Sequence, residues 1–163
     1  MLRFAHAIKP SRIPGAGLGL FTVDPQPRGR VLIMPNEAQS IRSAAELALL
    51  PRDSIEHASS VRWFEEVHTV DPAWSEESHL NHSFEPNGLW HLGFVFALQD
   101  LAAGEELTID YRHLLDERTV LDFRDSVTGR EIRGFPWHES IARSSLALAE
   151  LFAASPASTA GDR

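Results

Sequence analysis

The sequence predicts a mainly β fold with one short inserted helix and one C-terminal helix. Three observations carry this. Short apolar runs, each cut by glycine or proline, fill most of residues 1–111, which is the pattern of short strands joined by turns. A helical period shows in only two places, after Ser43 and after Pro136. The chain has 163 residues, 43% of them apolar, which suits one domain with one core. Residues 1–135 form the main domain, 136–153 a helix packed on it, and 154–163 a small, polar tail expected to be disordered.

Taken in order, Phe4 to Ile8 alternates loosely and stops at Pro10. Ile13 to Val23 begins as a glycine-rich bend and becomes a strand. Asp24 to Gly29 is a loop punctuated by two prolines, and Val31 to Met34 is a buried strand ended by Pro35. Ser43 and Glu46 form a capping-box pattern, so Ala44 to Leu50 reads as a helix that Pro51 ends. Arg52 to Ser60 is ambiguous. Val61 to Val70 holds one or two strands. Leu92 to Leu98 is a dense apolar strand, followed by a turn at Leu101 to Glu105. Side chains alternate along the next strand, so Leu107, Ile109 and Tyr111 share one inward face. Trp137 to Phe152 reads as a helix, with Ile141, Leu148 and Phe152 near one stripe.

Composition excludes several chemistries. There is no cysteine, which removes disulfides, thiolate zinc sites and a cysteine nucleophile. The net charge is −8 and Lys9 is the single lysine. Phosphate backbones are bound by clustered cations, so direct nucleic-acid binding is not expected. A cationic protein or peptide partner suits this field, although such a charge also serves solubility alone. No apolar run is long enough for a membrane span, and no secretory h-region follows Met1. The expected compartment is the cytoplasm.

Three segments could carry chemistry. Gly15-Ala16-Gly17-Leu18-Gly19 lacks the spacing of a dinucleotide fingerprint and the lysine of a P-loop. It is either a plain tight turn or a loop lying against a cofactor. Asn81-His82-Ser83-Phe84-Glu85-Pro86-Asn87 is dense in turn-forming polar residues. His79, His82 and His91, with Asp71 or Glu85, invite a metal reading, but no second motif supports one and no metal is expected. Ser83 beside His82 lacks the nucleophile elbow of a hydrolase. In Gly104-Glu105-Glu106-Leu107-Thr108-Ile109-Asp110-Tyr111, the paired glutamates read as solvated carboxylates at a turn.

In this order the three segments resemble the SET-domain lysine methyltransferases: a glycine pair leading into an aromatic strand, then N-H-S-x-x-P-N, then G-E-E-L-T-x-D-Y. The resemblance spans roughly residues 10–112. It implies a SET-type fold of small curved β-sheets with a C-terminal pseudoknot. It implies S-adenosylmethionine as cofactor, with the backbone of Gly17, Leu18 and Gly19 lining it. A Cβ at Gly17 or Gly19 would then stand where the ligand lies. Asn81 and His82 would hydrogen-bond its amino-acid and adenine ends, and Tyr111 would be the catalytic residue at the methyl-transfer point. The implied reaction is methyl transfer to a lysine side chain of a protein. A SET-like binding module without turnover, or a methyltransferase for a small amine, are the alternatives.

The chain departs from the family in three ways. A zinc-binding cysteine cluster is absent; its counterpart would be Gly134 to His138, with Phe135 or Trp137 covering the adenine or walling the channel, or else Trp137 only stapling the helix. Ser78-His79-Leu80 stands where an arginine is frequent. Tyr111 is the only tyrosine, so Phe64, Trp74, Trp90, Phe94 or Phe123 would supply the remaining walls.

Overall fold

A computed structural model describes residues 1–35 and 40–153. The tail expected over 154–163 lies outside the described residues. Strand β1 (His6–Pro10) pairs antiparallel with β2 (Leu18–Thr22), from His6 opposite Thr22 to Pro10 opposite Leu18. Then follow β3 (Val31–Ile33), β4 (Ser40–Ser43), helix α1 (Ala44–Leu47), helix α2 (Ile55–Ala58), β5 (Val61–Phe64) and β6 (Val67–Val70). After a 3-10 turn over Glu76–His79 come β7 (Asn81–His82), β8 (Gly88–His91), β9 (Phe94–Ala97) and β10 (Thr108–Ile109). A second 3-10 turn, Tyr111–His113, leads to the hairpin of β11 (Val120–Arg124) and β12 (Glu131–Arg133), and then to α3 (Trp137–Ala153).

The strands form several small sheets: β3-β9-β8, β4-β6-β5 and three separate pairs. This is the mainly β architecture the sequence predicts. The one parallel pair among the described residues, β7 with β10, sets Asn81 opposite Thr108 and His82 opposite Ile109. It joins the two longest motifs side by side. Asn87 secures the junction: its Oδ1 accepts from Thr108 N at 2.9 Å and its Nδ2 donates to Glu106 O at 2.8 Å. Buried backbone in so irregular a region must find partners, and these side-chain amides supply them. Leu20, Leu32, Val95, Leu107 and Ile109 centre the core, with Tyr111 and Trp90 packed against it. Leu107, Ile109 and Tyr111 therefore do face inward together.

Several boundaries differ from expectation for local reasons. The strand expected from Leu92 starts at Phe94, because Leu92 (φ 50°) and Gly93 (φ 86°) turn the chain between β8 and β9. Two successive positive φ values are what a two-residue hairpin of matching twist needs. The first strand runs over His6–Pro10 rather than from Phe4, since its partner β2 sets the register. The capping box is present: Ser43 Oγ accepts from Glu46 N, and Glu46 Oε2 accepts from Ser43 N at 2.7 Å. Yet α1 stops at Leu47, tightening into turns before Pro51, which disfavours helical backbone at the residue before it. In α3 the buried residues are Ser140, Ser144 and Leu151, while Phe152 is half exposed. The serines face inward because Ser140 Oγ lies 2.8 Å from His113 Nδ1 and Ser144 Oγ lies 2.9 Å from His91 Nδ1.

Candidate active site

A cavity of about 750 Å³ runs between the β1–β2 bend, the β7–β10 junction and the β11–β12 hairpin. Leu18, Asn81, His82 and Tyr111 all line it. Three separate segments of the sequence thus meet at one space.

The bend is held from beneath by Glu106. This carboxylate is buried, not solvated as the sequence suggested. It accepts from Ser11 Oγ (2.7 Å), Arg12 N (2.8 Å) and Asn81 Nδ2 (2.9 Å). Gly19 explains its placement. A Cβ there would stand 2.2 Å from Glu106 Oε1, so Gly19 makes room for this carboxylate and not, as expected, for a ligand. Gly17 has φ 73° and open space where a Cβ would be, but neither it nor Gly19 lines the cavity, which the bend reaches through Gly15, Ala16 and Leu18. The signal for Glu106 was a glycine inside a strand, which often marks a close approach.

Asn81 is pinned twice, with Nδ2 donating to Leu18 O and to Glu106 Oε1, both at 2.9 Å. Its Oδ1 has no partner among the described residues. His82 Nδ1 accepts from Tyr111 N at 3.1 Å, which puts the ring proton on Nε2. That Nε2 is buried with no partner. Burial holds the imidazole below its ordinary pKa, against the pull of Asp110 and Asp125. The His82 ring meets Phe84 edge-on, with centroids 4.6 Å apart.

Tyr111 donates its hydroxyl proton to Leu80 O, and burial pushes its phenol up to about 12. Leu80 belongs to the triplet that replaces the family's frequent arginine. Trp74, Trp90 and Phe123 line the cavity, as does Trp63; Phe64 and Phe94 do not.

The stretch expected to replace the cysteine cluster packs elsewhere. Phe135 lies between the guanidiniums of Arg112 (4.5 Å) and Arg143 (4.9 Å). Trp137 sits at the start of α3, 5.8 Å from the Arg62 guanidinium, and does not line the cavity. The hairpin does so instead, through Leu121, Phe123 and Asp125. Residues 112–136 carry no pattern that predicts an element, so this wall is a finding of the structure. Among the described residues no three His, Asp or Glu side chains gather as a metal-ligand set, and no helix is long and apolar enough to cross a membrane.

A family model described as the SET domain matches residues 17–112, more than half of the chain. The chain belongs to the SET-domain family. SET domains are typically protein-lysine methyltransferases and typically bind S-adenosylmethionine. Among solved structures, the polycomb repressive complex 2 of Chaetomium thermophilum matches with a TM-score of 0.52 at 21% identity. The match covers 66% of this SET chain and 15% of that one, so it speaks for the fold. No curated protein sequence matches. The hairpin that walls the cavity lies beyond the matched residues.

Proposed function

We propose that this SET domain moves a methyl group from S-adenosylmethionine to a lysine side chain of a protein by in-line displacement. The observation that carries the reading is the convergence of Leu18, Asn81, His82 and Tyr111 on one cavity. Two features suit the cofactor. His82 Nε2 is a buried donor in want of an acceptor, and such a group is costly to leave unpaired. Asn81 has its amide nitrogen fully used and its oxygen free, an acceptor for an ammonium group. Gly15, Ala16 and Leu18 bring the bend to the cavity wall, where its backbone can lie against a ligand.

Bound S-adenosylmethionine supplies an electron-poor methyl group on a sulfonium. The protein supplies alignment and electrostatics. With its proton given to Leu80, the Tyr111 oxygen offers lone pairs to the cavity. These accept from the amine N–H or from the polarised methyl C–H. With a pKa near 12 the phenol stays neutral, so it orients and does not act as a base. Trp74 and Trp90 give the cavity apolar walls. Such walls favour the neutral, nucleophilic form of a lysine amine, whose proton leaves to water. The net charge of −8 favours a basic protein or peptide as substrate.

The test is transfer of label from methyl-labelled S-adenosylmethionine to a lysine-rich protein, with methyllysine identified in the hydrolysate. Labelled methyllysine is expected. Binding of the cofactor without transfer to any basic protein contradicts the enzymatic reading.

A further inference from the structure

Arg62 is a buried cation that the reaction described above does not use. It is 2% exposed. The acid whose charge it feels most, Asp116, is tied to His68 instead, with Asp116 Oδ2 3.3 Å from His68 Nε2. A buried charge is costly unless hydrogen bonds satisfy it. The Arg62 side chain finds them on main-chain carbonyls. Its Nη1 donates to Phe135 O at 2.9 Å and its Nη2 to His113 O at 3.4 Å. Its backbone N–H donates to Leu114 O at 2.8 Å.

His113 and Leu114 close the 3-10 turn that Tyr111 begins. A helical end leaves its last carbonyls without partners inside the helix. Arg62 supplies partners from a strand 51 residues away in sequence. His82 Nδ1 holds the start of this turn at Tyr111 N, at 3.1 Å, and Arg62 holds its end.

Strand β5 thereby has two uses. Side chains alternate along a strand: Val61 and Trp63 line the cavity, while Arg62 between them reaches His113 and Phe135. Strand β6 repeats the arrangement. Thr69 lines the cavity, and His68, opposite Arg62 in the register, reaches Asp116. Trp63 is itself fixed, its Nε1 donating to Leu92 O at 2.9 Å. One face of the sheet walls the cavity and the other grips the segment that follows Tyr111.

We propose that Arg62 is a positioning residue for methyl transfer: it fixes the end of the Tyr111 turn against the cavity wall and so sets where the phenol oxygen stands. This rests on the reading of Tyr111 above. A misplacement of about 1 Å can slow an aligned reaction about a hundredfold. Arg62 does not line the cavity, so its loss acts on alignment and not on cofactor binding.

Arg62→Gln in the full chain tests this. Single-turnover methyl transfer to a lysine-rich protein should slow at least about tenfold. The calorimetric Kd for S-adenosylhomocysteine should stay within about twofold. In a Tyr111→Phe background the same substitution should add little, because both changes act through one oxygen. Tyr111 is the only tyrosine, so 13C-labelled tyrosine reports on it alone, and its ring signals should shift in Arg62→Gln. A cooperative melt checks folding. If that variant does not fold, Arg62→Lys replaces it, keeping the charge without the forked donors, with the same split expected. An unchanged transfer rate overturns the proposal, as does equal slowing with and without the Tyr111 hydroxyl, and in both cases the enzymatic reading stands. Absence of transfer by the unaltered protein overturns that reading instead. Unshifted ring signals overturn the role of Arg62 whether or not methyl is transferred.

Discussion

The hydroxyl of Tyr111 donates to the main-chain carbonyl of Leu80, one residue before the Asn81-His82 pair. This bond fixes the phenol against the cavity and turns its lone pairs toward whatever occupies it. Replacing Tyr111 by Phe removes the oxygen and leaves the Leu80 carbonyl short of a partner, a loss of about 1–2 kcal/mol of stability. Turnover should fall by about a hundredfold or more, because an oriented polar group at the reacting centre is lost. Cofactor affinity should stay nearly unchanged. Methyl-transfer kinetics and a titration on the same preparation check this. Full activity in Tyr111→Phe would remove Tyr111 from the chemistry.

Gly17 and Gly19 should respond differently to alanine. At Gly19 the added carbon meets Glu106 Oε1 at 2.2 Å, so the carboxylate must leave Ser11, Arg12 and Asn81. Disrupting a buried polar network is among the larger mutational effects, about 2–4 kcal/mol. At Gly17 only the positive φ of 73° is at issue, which costs an alanine about 1–2 kcal/mol. Thermal melts of the two variants rank them. The reverse order would mean that Glu106 does not anchor the bend.

Acidification should destabilise the protein. Burial is the largest influence on His82, His91 and His113, and it lowers the pKa of each in the folded state. As pH falls through about 6.5 the unfolded chain takes up protons that the folded chain refuses, so stability drops. It is fully present above that value. The melting temperature should therefore fall between about pH 7.5 and pH 5.5, with a shallower slope in His91→Gln. A melting temperature that rises on acidification contradicts this sign.

The hairpin wall should depend on Arg130. Its guanidinium on Phe84 is the one cation–π contact from the hairpin turn to the Asn81–Asn87 segment among the described residues. Arg130→Ala should cost about 1 kcal/mol or less and speed amide exchange over residues 120–133. Cofactor affinity should weaken severalfold while α3 keeps its protection. Unchanged exchange in the hairpin would show that other contacts hold it.

What the sequence revealed was local. Ser43 and Glu46 sit three residues apart, and their capping box could be read directly, although the helix closes after four residues, ahead of Pro51. The inward face of Leu107, Ile109 and Tyr111 followed from strand alternation. Glu106 was misread because its partner Arg12 is 94 residues away, and nothing beside it in the chain signals burial. The hairpin escaped notice for the opposite reason. Leu121 and Phe123 line a cavity instead of a core, and Phe123 is 51% exposed, so β11 carries no signature of a buried strand. In α3 the serines at 140 and 144 hid the buried stripe, because histidines on other elements supply their partners.

One measurement bears most directly on the whole account: calorimetric titration of the protein with S-adenosylmethionine, repeated on Asn81→Ala. The expected result is saturable one-to-one binding with a Kd of about micromolar order, weakened at least about tenfold in a variant that still melts cooperatively. A folded protein that takes up no S-adenosylmethionine, or an Asn81→Ala variant that binds it as well as the parent, would contradict the site described.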